Sequence, residues 1–183
     1  MDEAEFVLAY LNTHDPTRAP QDLLATPDQA EGFFTDNGLA RPDVDWPAVA
    51  PRIRESRDGL RQVFEKLTAD EPDYEDLARI LNSSLAQVRW RGAVRPGEDE
   101  LDIVFGPHEE QPYELRIMAL ATAALVRLTT EFGPERMRKC QSAPCERLYV
   151  DQSKAGRQRY CSKRCANRVN VAAHRARQRT ASE

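Results

Sequence analysis

Between Trp46 and Ala69 the apolar residues Trp46, Val49, Ile53, Leu60, Val63, Phe64 and Leu67 fall on one helical stripe, which predicts a helix along that whole stretch. Gly59 weakens it by about 1 kcal/mol relative to alanine. Residues 2–13 predict a shorter helix, with Phe6, Leu8 and Leu11 among its apolar positions. Thr13-His14-Asp15-Pro16 closes it, because Pro16 pushes the residue before it out of the helical region. Another short helix is expected from about Pro27-Asp28 to the stop signal Asn37-Gly38. Pro72, at an expected first turn, opens a fourth that runs to about Gln87 with Leu77, Ile80, Leu81 and Leu85 inward. From Pro112 to about Phe132 the pattern is apolar nearly all round, including Leu115, Ile117, Met118, Leu120, Leu125, Val126 and Leu128. A helix with so little polar surface is expected at the centre of a domain.

Between the last two of these helices the period changes. Val88 to Val94 alternates like a strand, Arg95-Pro96-Gly97-Glu98-Asp99-Glu100 turns the chain, and Leu101 to Phe105 reads as the return strand. Gly133-Pro134 is the expected boundary between a domain at 1–133 and a smaller one at 134–183. The expected class is α+β: a mainly helical N-terminal domain with one small antiparallel hairpin, followed by a compact C-terminal module.

Charge sharpens that division. The net charge of the 183-residue chain is −4, but residues 134–183 hold thirteen Lys/Arg against four Asp/Glu, so the remainder carries −13. Such asymmetry points to a basic element with an anionic partner, and to an acidic domain that can fold back on it and compete with that partner. No apolar run is long enough to span a bilayer. The N-terminus Met1-Asp2-Glu3-Ala4-Glu5 lacks the layout of a secretory signal. The expected compartment is a reducing cytoplasm, where cysteines serve as metal ligands more often than as disulfides.

All four cysteines lie in the basic part. Cys140, Cys145, Cys161 and Cys165 have the spacing C-x4-C-x15-C-x3-C, two close pairs of the soft ligands that tetrahedral zinc prefers. Gln141-Ser142-Ala143-Pro144 suits a tight knuckle, and the i,i+4 spacing of Cys161 and Cys165 points both thiolates the same way from one turn of helix. Arg147 to Asp151 reads as a short strand, with Arg159-Tyr160 as its expected partner across a turn near Lys154-Ala155-Gly156. Knuckle, hairpin and helix together resemble a treble-clef finger. Four protein ligands leave no position for water, so the expected cofactor is one structural Zn2+. Two disulfides, unrelated thiols or a redox-sensing zinc site are the alternatives. The surrounding Lys/Arg are expected to lower the thiol pKa values.

From Ser162 to Arg179 there is no proline or glycine, and no acid occurs between Gln152 and Ser182. On a helix Arg164, Arg168, Arg175 and Arg179 fall within about 60° of one another. Val169, Ala172, Ala173 and Ala176 form a neighbouring sector expected to pack on the finger. Lys154, Arg157, Arg159 and Lys163 add charge ahead of it. A solvated helix face usually mixes signs, whereas a single-sign ridge repels itself unless a polyanion neutralises it. The pattern therefore points to nucleic acid, first through phosphate contacts. Asn167, Asn170 and His174 occupy a third sector from which base edges, the finger or water are all within reach.

Cys165-Ala166-Asn167-Arg168 resembles the Cys-Gly-Asn-Arg signature of the CGNR zinc finger. Arg138-Lys139-Cys140, Leu148-Tyr149-Val150-Asp151, Arg159-Tyr160-Cys161-Ser162 and the arginine-rich end resemble that finger as well. Ala166 stands where the signature has glycine, and the last cysteine pair has three intervening residues. In that family the finger follows an α/β domain called ABATE, described as a stress-induced transcription regulator, and Leu11-Asn12-Thr13 resembles its early Asn-Thr element. The resemblance implies that Cys140, Cys145, Cys161 and Cys165 are the ligands and that Asn167 and Arg168 are the signature polar pair.

Residues 1–133 hold only His14 and His108 as histidines, no cysteine, no glycine-rich phosphate loop and no nucleophile elbow. Both histidines read as surface loop residues, the carboxylates as solvated faces, and Trp46 and Trp90 as core or edge packing. No catalytic role is expected. The leading expectation is a bacterial-type, zinc-dependent regulator that binds nucleic acid, duplex DNA first, through Lys154, Arg157, Arg159, Lys163, Arg164, Asn167, Arg168, Arg175 and Arg179. Its first domain would sense a small-molecule effector or form a homodimer, with no membrane partner. An RNA-binding protein, an adaptor for an acidic protein and, last, a treble-clef nuclease are the other readings.

Overall fold

The computed structural model describes residues 3–69, 71–97 and 100–180, with the side chains of Ala176 and Thr180 left out. The helices are α1 (Glu3–Leu11), α2 (Pro27–Asp36), α3 (Trp46–Leu67), α4 (Tyr74–Ala86), α5 (Tyr113–Phe132) and α6 (Lys163–Thr180). The strands are β1 (Trp90–Pro96), β2 (Leu101–Pro107), β3 (Met137–Lys139) and β4 (Leu148–Val150). This is the expected α+β arrangement, with the expected hairpin of the C-terminal part formed by a different pair of strands.

Local chemistry sets the helix starts. Thr26 and Gln29 form a reciprocal capping box at α2, each side chain accepting from the other's backbone N–H. Asp45 caps α3 by accepting from the Ala48 N–H, and Asp73 caps α4 by accepting from that of Asp76. α4 therefore begins at Tyr74, and Pro72 precedes the cap instead of lying in the first turn.

α5 runs through the middle, packed on α1, α3 and α4, and buries Ile117, Ala121, Ala124, Leu125 and Leu128 in the main core. Phe34 stacks on Trp46 at 5.7 Å, and both meet the Tyr113 ring edge-on. A polar knot sits further along α3. The Arg57 guanidinium, only 2% exposed, donates to Asp22 at 2.7 and 3.0 Å, to Asp58 at 2.8 Å and to the Thr13 hydroxyl at 2.9 Å. A buried charge requires such partners. Burial works against the Asp22 carboxylate, but Arg57 and the Leu24 N–H hold it below the usual carboxylate range. The expectation of solvated carboxylates in residues 1–133 thus fails at half-buried Asp22 and at buried Asp15.

β1 and β2 pair antiparallel from Trp90↔Pro107 to Pro96↔Leu101, and the Gly97 N–H donates to the Glu100 carbonyl at 2.7 Å. The strands extend further into the expected six-residue turn because Pro96 still has a partner; Glu98 and Asp99 of that turn lie outside the described residues. At the base, the Gln111 carboxamide accepts from the Arg89 N–H at 2.6 Å and donates to its carbonyl at 2.9 Å.

The core does not stop at Gly133–Pro134. Met137, Leu148 and Val150, from β3 and β4, belong to the same buried cluster as Phe6, Leu11, Phe64 and Leu125. Asn12, immediately after α1, pairs with Leu148 as a strand neighbour would: its carboxamide accepts from the Leu148 N–H and donates to the Leu148 carbonyl, both at 2.8 Å. Arg61 of α3 donates to the Leu11 carbonyl at 3.0 Å and to the carbonyl of Glu146. Lys139–Glu65, at 3.0 Å, and Arg147–Asp15, at 3.8 Å, add ion pairs along the same seam. Among the described residues, no helix is long and apolar enough to cross a membrane.

Candidate metal centre and basic surface

The finger is built on a partner that the sequence does not suggest. β4 pairs with β3, Met137↔Val150 and Lys139↔Leu148, and not with Arg159-Tyr160. The reason is Asp151, only 1% exposed. Its carboxylate accepts from the N–H and hydroxyl of Ser153, at 2.9 and 2.6 Å, and from the Gln158 N–H at 2.8 Å. These bonds, with Arg136, hold it ionised below the usual carboxylate range although burial opposes the charge. They gather residues 151–158 into a closed loop. Arg136 donates into that loop at the Ser153 carbonyl, 2.7 Å away, and its guanidinium lies where a side chain at Gly156 would stand; Gly156 has φ +61°. Arg159 is thereby returned to the knuckle, where its carbonyl accepts from the Gln141 N–H at 3.1 Å.

The four sulfurs converge. All lie within 4.8 Å of one another, with Cys145–Cys161 at 3.8 Å and Cys161–Cys165 at 3.7 Å. A tetrahedron of thiolates about 2.3 Å from a central zinc has edges of about 3.8 Å. The cage therefore fits one zinc, fills its shell with protein ligands, and is structural. Cys140, Cys145 and Cys165 are buried and Cys161 is half-buried. Ser162 caps α6, its hydroxyl accepting from the Cys165 N–H at 3.3 Å, so the last ligand sits in the first turn. Without metal, burial pushes the Cys145 and Cys161 thiols up. At Cys165 burial is overcome by hydrogen bonds from Ser162 and the neighbouring thiols, which bring it down to about 7. At Cys145 and Cys161 the lowering expected from nearby Lys/Arg does not occur, because desolvation is the larger effect there; the metal itself must displace those protons.

Beyond the cage the surface is basic. Arg157, Arg159 and Lys163 line one shallow groove of about 590 Å³ together with Tyr160, and the Arg159 guanidinium lies 5.9 Å from the Tyr160 ring centre. Lys154 and Arg164 are exposed beside it, and α6 then leaves the body. Ala172 and Ala173 are exposed, as are Asn170, Val171, His174, Arg175 and Arg179. The sector expected to pack on the finger does so only at Val169, which is half-buried; the Ala176 side chain is not described. The body ends at the first two turns, so the later alanines have nothing to meet.

Two family models match this chain. One is the CGNR zinc finger, over residues 136–178. The other, over residues 4–131, is ABATE, "Putative stress-induced transcription regulator". The chain belongs to the ABATE family. No curated protein gives a significant match.

Within this ABATE protein the signature residues divide. Asn167 is exposed on the outer side of α6. Arg168 is half-buried and turns back, donating to the Cys165 sulfur at 3.6 Å. In the arginine ridge it is therefore the member that faces the metal cage. The Asn-Thr element acquires a physical meaning: Asn12 splices the ABATE body to β4, and Thr13 receives Arg57. Asn12, Arg61 and Asp151 were not singled out by charge or period. The available signs were Asn12's place in that element and Asp151's in Leu148-Tyr149-Val150-Asp151.

Proposed function

We propose that this protein is a DNA-binding transcription regulator in which zinc fixes the base of a basic helix to the finger, and the finger is joined to the ABATE body. One observation carries the reading: after Val169, every described side chain of α6 is exposed, and the segment contains no acid. An isolated helix of this length is marginal in water, and like charges at i,i+4, such as Arg175 and Arg179, weaken it further. A polyanion supplies what the fold does not. Phosphates neutralise the ridge, and the groove of Arg157, Arg159 and Lys163 continues the same positive surface toward the finger. Lys154, Arg164, Arg175 and Arg179 are assigned to phosphate contact and Asn167 to the base edges of the DNA, while Arg168 serves the cage. The descriptions of both families support a binding protein over an enzyme. The zinc thiolates suit a reducing cytoplasm.

Duplex DNA binding by the zinc-loaded chain, measured across a salt series, tests this. The logarithm of the association constant should fall with log salt by several units, and Arg175→Ala with Arg179→Ala should reduce the slope by about two. Salt-independent binding would sink the proposal, and stronger competition by single-stranded RNA would redirect it.

A further inference from the structure

The β1–β2 ribbon has a face that no contact within the chain explains. Its register sets Trp90, Gly92, Val94 and Pro96 opposite Pro107, Phe105, Ile103 and Leu101. Side chains alternate across a strand, so these eight share one face. None is charged; Arg91, Arg95 and Asp102 all lie on the other side. The apolar face is bare: Leu101 and Phe105 are 74% exposed, Ile103 65%, Val94 63% and Trp90 41%. Single exposed hydrophobic residues are ordinary, but a contiguous set of five marks a contact surface. The Phe105 ring lies over Gly92, where an added Cβ would come within 2.9 Å of it. Among the described residues the ribbon is held near its base, by Gln111, buried Val88, the Trp90 indole N–H on the Leu85 carbonyl at 3.4 Å and the packing of β2 on α5. A lone two-stranded ribbon is marginal in water.

We infer that this face is where two copies of the chain meet, ribbon against ribbon about a two-fold axis. Charge narrows the occupant. With no cation on it the face offers nothing to the phosphates of nucleic acid or to anionic lipid headgroups. A copy of itself is complementary, because a two-fold contact lays apolar on apolar and brings no like charges together. The area is adequate: five such side chains expose roughly 600 Å² per copy, approaching the approximately 800 Å² that each partner buries in an ordinary stable interface. The second ribbon is also the layer that the first one lacks. The inference is independent of what α6 binds.

Sedimentation equilibrium of the full-length, zinc-loaded protein over a concentration series tests it. The wild type should approach twice the 20.8 kDa chain mass. Phe105→Glu or Ile103→Glu should raise the dimer dissociation constant at least tenfold, since each buries an unpaired charge. Asp102→Asn, on the opposite face, should leave it unchanged. Zinc content and circular dichroism confirm that each variant is folded, and Leu101→Ser, near the tip, gives a milder version of the same shift. A wild type that stays monomeric, glutamate variants that dimerise as tightly as the wild type, or a monomer that binds anionic vesicles would each overturn the inference. Loss of DNA binding with the dimer intact would count only against the regulator reading.

Discussion

The two ribbons of this protein share a topology and differ in everything that surrounds it. β3–β4 has three residues in each strand, yet Met137 and Leu148 are fully buried and Asn12 supplies hydrogen bonds to the Leu148 edge. β1–β2 has seven in each strand and nearly every one exposed. Ladder length therefore does not decide how firmly a ribbon is held. Cover does, because pairing in water replaces one set of hydrogen bonds by another, while burial adds a term that has no such offset.

The severest way to break this contrast is at the metal. Cys161→Ser should abolish stoichiometric zinc, removing on the order of 10 kcal/mol of binding free energy. Hydrogen exchange should then show residues 151–180 unprotected while the Leu148–Val150 amides keep their protection, since the main core holds them. Loss of protection in both would show that β3–β4 depends on zinc. Next comes the seam. Asn12→Ala strands a buried N–H and carbonyl at Leu148 and should cost about 3 kcal/mol in urea unfolding; a loss below about 1 kcal/mol would mean that the pairing is incidental.

Smaller effects separate neighbouring roles. Arg168→Gln removes a donor to the Cys165 thiolate and should weaken zinc about tenfold in chelator competition. The salt slope of DNA binding should stay nearly constant if Arg168 serves the cage, and should drop by about one if it serves phosphate. Smallest of all, Phe105→Glu should change the unfolding free energy of the dissociated chain by less than about 0.5 kcal/mol, because the ring is already 74% exposed. A substantially larger loss would place the long ribbon in the same category as the short one.

Local regularities were legible in the sequence. Helical periods placed α1 to α6 within a residue or two, alternation placed β1 and β2, and ligand type with spacing placed the zinc cage. Contacts between segments far apart in the chain were not legible. Asn12 and Leu148 are separated by 136 residues, and no period encodes a carboxamide that imitates a strand. The partner of β4 is not legible for a related reason: Asp151 looks like one more acid until its three hydrogen bonds are seen closing the loop. Alternation also identifies the two faces of β1–β2 without telling which one is covered.

The seam at Asn12 and Arg61 also bears on aim. α6 begins at the cage, the cage hangs from β3–β4, and β3–β4 is bolted to α1 and α3, so no joint lies between the body and the helix base. An 18-residue helix extends about 27 Å, long enough to magnify a small tilt at its root. The hydrogen bonds made by Asn12 and Arg61 therefore help to set where the arginine ridge points.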